Sequence, residues 1–255
     1  MNPGVEAVLK RVLPPLALLV FGIALVQVLV PALGIPPFVL ASPAAIWDEI
    51  VAYLPAIASA TLVTGLNALW GLLLGSVIGI ALAVLASRTK VIDGMLAPIV
   101  AAIAVVPIVA LAPVLYTMFG STSETARVLI AGIAAFVPIF LNTLRGLRQV
   151  RPVQRDLLRA LAATPGQVIR SLTIPAALPH FFTGLRVASS LAVISALVAE
   201  YFGGPRQGLA AAITTAAANS AYARAWAFVL GAIVLGLAFF LITSLIERAF
   251  LRFAR

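Results

Sequence analysis

Cysteine is absent from this chain of 255 residues, histidine occurs once, and charged residues make up only 10% of it. Without a thiol there are no disulfides, no thiolate nucleophile and no Cys-based metal site. His180 follows Pro179 with no second histidine or carboxylate cluster near it, so it reads as an interfacial polar residue. The serines have no histidine and acid at recognisable spacing, which leaves a Ser nucleophile without support. No G-x-x-x-x-G-K-[ST] run occurs, so the chain has no P-loop with which to hold ATP. Ionisable residues are also nearly missing from the apolar stretches. Only Arg186 falls inside one, close to an edge that its long stem can reach past. A proton-driven pump needs a relay of carboxylates or histidines. With none here, energy for uphill transport has to come from elsewhere.

What the chain has in abundance is apolar surface: 63% of its residues are hydrophobic, and its mean hydropathy is +1.15. That lies far outside the soluble globular range. The apolar residues fall into runs of about 17 to 25, the length a helix needs to cross roughly 30 Å of hydrocarbon. Strand-like alternation is missing, which argues against a β-barrel. The expectation is an all-α polytopic membrane protein, one domain over 1–255, with six spans at 13–33, 61–85, 95–119, 128–144, 181–199 and 225–246. The first span follows Lys10-Arg11 as a signal peptide would. Its apolar run is longer than an h-region, though, and no small-x-small site follows, so it is read as uncleaved.

The net charge of +9 is chiefly a topology signal. Arg88, Lys90, Arg145, Arg148, Arg151, Arg155, Arg159 and Arg170 gather on one side together with Lys10, Arg11, Arg248, Arg252 and Arg255. Arg127, Arg206 and Arg224 fall on the other. Six spans and this bias agree on both termini being expected in the cytoplasm. The basic residues follow span ends, where they attract anionic lipid, and nucleic acid is excluded as a partner.

Local signals refine the picture. Ser42-Pro43 offers an N-cap and a proline at the first helical position, predicting a short interfacial helix with Trp47 at headgroup level and Asp48 and Glu49 near its start. Gly71, Gly75 and Gly79 line up on one helix face and predict close packing within or between subunits. Pro107 and Pro113 kink the third span, either as the wall of a path or for packing. The turn Gly120-Ser121-Thr122-Ser123 then leads into span four.

Between the fourth and fifth spans lies a basic, organised loop at 145–179. Residues 152–163 read as a helix whose apolar stripe is Leu157, Leu158, Leu161 and Ala162, and Thr164-Pro165-Gly166 reads as its stop. A second amphipathic piece runs from Gln167 to Thr173. A greasy face in water meets either a groove on a partner or the inner leaflet.

The loop resembles the cytoplasmic EAA loop of bacterial ABC importer permeases: Asp156-Leu157-Leu158, then Ala162, then Leu172-Thr173-Ile174-Pro175. The likeness extends to the nitrate, sulfonate and taurine type through Leu40-Ala41-Ser42-Pro43, the glycine ladder, Pro107 to Ala112-Pro113, Phe119-Gly120, Asn142-Thr143 with Gly146, Ala176-Ala177-Leu178-Pro179, Thr183-Gly184-Leu185-Arg186, and Glu200 with Gly203-Gly204 and Gly208-Leu209. It implies a type I importer permease fold, a homodimer, and two ABC ATPase subunits docked at a coupling helix formed by Asp156, Leu157, Leu158, Leu161, Ala162, Ala163 and Thr164. It also implies a periplasmic or lipid-anchored solute-binding protein and a place in the bacterial cytoplasmic (inner) membrane. ATP and Mg would belong to the ATPases, with no cofactor on this non-catalytic chain. Candidate path residues are Pro107, Pro113, Ser189, Ser195 and Glu200. Two departures stand out: Asp-Leu-Leu replaces Glu-Ala-Ala, and Ala162 replaces a glycine expected where the helix passes closest to its partner. The substrate is expected to be a sulfonate-, taurine- or nitrate-like anion. Glu200-Tyr201-Phe202-Gly203-Gly204 leans instead toward permeases for aromatic vitamin precursors. A secondary transporter or a scaffold without an ATPase is the rival.

Overall fold

In a computed structural model, the described residues are 3–120, 123–204 and 206–253, with side chains described from 13 to 250. The expected turn residues Ser121 and Thr122, and the side chains of Lys10, Arg11, Arg252 and Arg255, lie outside them. All regular structure among the described residues is helical: α1 (Pro3–Ala32), α2 (Pro43–Arg88), α3 (Lys90–Val105), α4 (Ile108–Phe119), α5 (Thr125–Leu147), α6 (Pro152–Ala160), α7 (Pro165–Val168), a π-helical turn (Ile169–Thr173), α8 (Ile174–Phe202), α9 (Leu209–Ala218) and α10 (Tyr222–Phe253).

The N-cap signal at Ser42 holds, with its hydroxyl accepting from the Ala45 N–H at 3.3 Å. The helix that starts there does not stop after an interfacial turn. It bends at Tyr53 (φ −113°, ψ 17°), just before Pro55, and continues to Arg88. The interfacial helix and the second span are thus one element, bent where a proline removes a donor and crowds the preceding turn.

The third span is broken outright. α3 and α4 meet at 96°, with Val106 and Pro107 both extended (ψ 124° and 109°). A residue before proline is driven out of the helical region, so Val106 ends one helix and Pro107 begins the next. The pair still carries the chain across the bundle. Asp93 near the start of α3 is ion-paired with Arg148 at the end of α5 at 2.8 Å, whereas Tyr116 in α4 donates to the Ala199 carbonyl near the end of α8 at 3.1 Å. The five long apolar helices and this bent pair therefore make six crossings.

Because α3 and α4 return the chain, α2 and α5 run parallel, and the glycine ladder joins them. A Cβ on Gly71 would lie 2.4 Å from Ala131 Cβ, one on Gly75 2.4 Å from the Gly132 carbonyl, and one on Gly79 2.8 Å from Ile139 Cγ2. The packing face is internal to the subunit. α8 then runs antiparallel to α5 on two further close approaches: a Cβ on Gly146 would meet the Ala177 backbone at 2.9 Å, and one on Gly184 the Pro138 carbonyl at 2.8 Å. Alanines 131, 135, 188, 192 and 196 fill the seam between these helices at 0% exposure. Lipid tails are as apolar as the side chains, so close backbone approach and van der Waals contact hold such a seam together.

Candidate functional site

Polar structure concentrates at the two ends of the bundle. At one end, α6 stands clear of the helices. Gln154 Oε1 accepts from the Arg151 N–H at 3.1 Å to open it, and Pro152 fills the first helical position. It ends earlier than its composition predicts. The Ala162 N–H donates to the Arg159 carbonyl and the Ala163 N–H to the Leu158 carbonyl, each at 2.9 Å, and Ala162 has φ 55°. This is a Schellman turn with Ala162 in the left-handed position that glycine normally fills. Ala162 thus occupies a turn position that favours glycine on conformational grounds within the chain itself.

Thr164-Pro165 then starts a helix where a stop was expected. The Thr164 N–H donates to Gln167 Oε1 at 2.7 Å, and the Gln167 N–H returns to Thr164 Oγ1 at 3.4 Å. That capping box, with proline at the first position, was readable as a start signal. From there α7, the π-turn and α8 run on as one helical segment, Pro165–Phe202.

The apolar stripe that α6 exposes is Val153, Leu157 and Leu161, at 77%, 61% and 70%. Leu158 and Ala163 are half-buried, while Asp156, Ala162 and Thr164 are exposed. Val153 was missed, although a spacing of four from Leu157 puts it on the same face. Arg148 fixes the base of the loop by its pairing with Asp93 and a 3.5 Å contact to the Ala86 carbonyl. Nearby, Arg186 does not reach out alone as expected. It pairs with Glu247 of α10, and Ser189 contacts Thr243 at 3.3 Å, joining α8 to α10.

At the opposite end, Glu200 lies inside α8 rather than beyond it and is buried. Its Oε2 accepts from Thr64 Oγ1 of α2 at 3.0 Å and from the Ala210 N–H at 3.1 Å, while Thr64 Oγ1 accepts from the Leu209 N–H at 2.9 Å. Two orphan donors of the α9 start are thus satisfied by buried side chains, and the acid sits where the helix dipole favours it. Gly208 (φ 104°) is needed beneath this clasp, since a Cβ there would lie 2.4 Å from Glu200 Oε1. Arg127, expected among the surface basic residues of this end, is fully buried with its Nε 3.4 Å from the Tyr116 hydroxyl. α9 itself was not foreseen. Its alanine-rich ten residues are too short to register as a span. Of the path candidates, Ser189, Ser195 and Glu200 are buried between helices, and Pro107 and Pro113 are exposed beside the α3–α4 bend.

The family model described as "Binding-protein-dependent transport system inner membrane component" matches residues 71–252, more than half of the chain. This chain belongs to that family. The permease is 30% identical over 194 residues to a probable ABC transporter permease protein of Haemophilus influenzae, covering 76% of this chain and 78% of that one. It is 34% identical to the riboflavin transport system permease protein RibX of Chloroflexus aurantiacus, covering 72% and 68%. With the formylaminopyrimidine transport permease protein ThiX of Halalkalibacterium halodurans it shares 35% over 133 residues, spanning about half of each chain (52% and 53%). Its fold is that of solved type I importer permeases. An amino acid ABC transporter superposes with a TM-score of 0.65 at 20% identity, over 78% of this chain and 96% of that one. The MetNI methionine transporter in an inward-facing conformation follows at 0.59 and 18%, over 79% and 97%. The permease is thus a multi-pass membrane subunit of a binding-protein-dependent ABC importer.

Proposed function

We propose that this permease works as a homodimer that forms the path for a small organic solute, and that α6 is the helix through which two cytoplasmic ABC ATPases move it. The carrying observation is the stripe Val153, Leu157 and Leu161, left uncovered at 77%, 61% and 70% exposure on a helix that stands off the bundle and has none of its residues buried. Such a face is built to fill a groove. Asp156, Leu158, Ala162, Ala163 and Thr164 set its length and exit turn. The α6 end then faces the cytoplasm. ATP and Mg act on the ATPases, whose closure pushes α6. That push reaches the bundle through the continuous segment Pro165–Phe202, which is packed along α5. An external solute-binding protein delivers the substrate at the α9 end. The solute is a sulfonate-, taurine- or nitrate-like anion or an aromatic vitamin precursor, both chemistries being named among the relatives.

The test is Leu157→Glu with Leu161→Glu. Charges on the stripe should leave an inserted, dimeric permease and abolish both co-purification of the ATPase and substrate-stimulated hydrolysis. Normal transport by that variant, with its ATPase bound, would refute the assignment of α6.

A further inference from the structure

The clasp at Glu200 and Thr64 fixes α9 from behind, and the other side of α9 borders open space. One cleft of about 470 Å³ is lined by Tyr201, Arg206, Thr214, Thr215 and Asn219 among others. A second, of about 620 Å³, runs between α9, α2 and α10 past Tyr53, Ser59, Gln207 and Phe228. Arg206, Ala211, Thr215 and Asn219 border both. The spacing of four from Ala211 to Thr215 to Asn219 puts these three on one edge of α9, so the two clefts are lobes of one recess divided by that edge.

The recess has a definite polarity. Two arginines border it, and they differ in state. Arg224 is held by Glu49, Nε to Oε2 at 2.8 Å, and lies over the Tyr53 ring at 3.7 Å. Arg206 is exposed and has no ion-pair partner among the described residues. The one carboxylate among the lining residues is Glu200, and it is turned to internal use: Oε2 is occupied by Thr64 and Ala210, and Oε1 is buried against Gly208. What remains accessible is a guanidinium, the amides of Gln207 and Asn219, and the hydroxyl of Ser59, since the Thr214 and Thr215 hydroxyls donate to the Ala210 and Ala211 carbonyls of their own helix. A fork of guanidinium donors flanked by neutral amide donors matches a planar or tetrahedral oxyanion, and its charge repels a cation.

We propose that this recess is a recognition subsite for the anionic oxygen group of a small solute, with Arg206 as its charge partner and the Asn219 side-chain amide as its hydrogen-bond donor. The inference rests on the importer reading and narrows it: a sulfonate-like headgroup fits here, and a neutral heterocycle lacks the charge Arg206 would pair. Glu200 is a positioning residue that acts through α9.

The absence of cysteine allows a direct test on the full-length permease in open membrane fragments without ATPase, so the outcome does not depend on how α6 couples. Ala218→Cys puts a thiol in the first lobe without touching a proposed ligand residue. After normalisation to a free thiol, it should react about threefold or more faster with anionic sulfonatoethyl methanethiosulfonate than with the cationic trimethylammonioethyl reagent, one nearby charge being enough for that. The preference should vanish in Arg206→Ala and persist in Arg206→Lys. Ethanesulfonate should slow the labelling, and chloride at equal ionic strength should not. A cationic preference, indifference to Arg206→Ala, or protection by a neutral aminopyrimidine in place of ethanesulfonate would each overturn the proposal. Loss of ATPase docking in the α6 variant with these labelling results intact would sustain it, whereas correct docking with failed labelling would remove the subsite and leave the importer reading standing.

Discussion

At the scale of single residues, Ala162 and Gly208 are governed by the same backbone rule with opposite outcomes. Ala162 holds φ 55° with a Cβ, a conformation that costs an L-residue about 1–2 kcal/mol. Ala162→Gly should therefore tighten the turn by about 1 kcal/mol, despite the poor helix propensity of glycine, because position 162 lies outside α6. Hydrogen exchange should show the Ala163 amide more protected in Ala162→Gly and less protected in Ala162→Val; equal protection in both would refute the strained turn. Gly208 combines φ 104° with the Glu200 carboxylate 2.4 Å from where a Cβ would stand. Strain of about 1–3 kcal/mol adds there to a clash with a buried group that cannot withdraw. Gly208→Ala should sharply lower the melting temperature of the purified permease, and Gly166→Ala, which has open space around it, should not. An equal melting temperature for both would mean that the clasp does not hold α9.

Elements meet where side chains are missing. The α2–α5 seam is set by Gly71, Gly75 and Gly79, and the α5–α8 seam by Gly146 and Gly184, each placed against backbone or Cβ atoms of its neighbour. Gly75→Leu would force α2 off α5, a loss of about 1–3 kcal/mol by analogy with overpacked cores. Since the contact is internal, size-exclusion profiles and thermal unfolding should both report a damaged subunit. A well-folded monomer that fails only to dimerise would place the ladder at a subunit interface instead. α3 and α4 show the opposite device. There a proline creates a break, and the break lets one crossing change direction while its ends remain tied by Asp93 and Tyr116 to opposite ends of α5 and α8.

At the scale of the whole molecule, the orientation proposed above, toward which the grouping of basic residues on the α6 side points, would place both ends of the chain on a cytoplasmic α6 side. A single cysteine replacing Arg151 should be protected from an impermeant thiol reagent in intact cells, and one replacing Ser123, at the α9 end, should be labelled. The reverse pattern would invert the orientation and detach α6 from the ATPase.

Composition and run length alone determined that the chain is a helical membrane protein with six crossings, because burial in hydrocarbon demands long apolar helices whatever their partners. The ordered glycines, prolines and loop residues carried the likeness to importer permeases, since each answers a local backbone requirement written in sequence. The exposed stripe of α6 was legible in part, through the period of Leu157 and Leu161, while Val153 was passed over and the chain reversal at Ala162 was masked by a residue that favours helix. What only the tertiary structure decided is which distant groups meet. Thr64, Glu200 and the start of α9 are separated by up to 145 residues, and a lone glutamate at the end of an apolar run gives no sign of its partners. Nor could the sequence say that Arg127 is buried and Arg206 exposed. Both are single arginines at a helix-proximal position, and packing alone withdrew one from water and left the other beside an open recess.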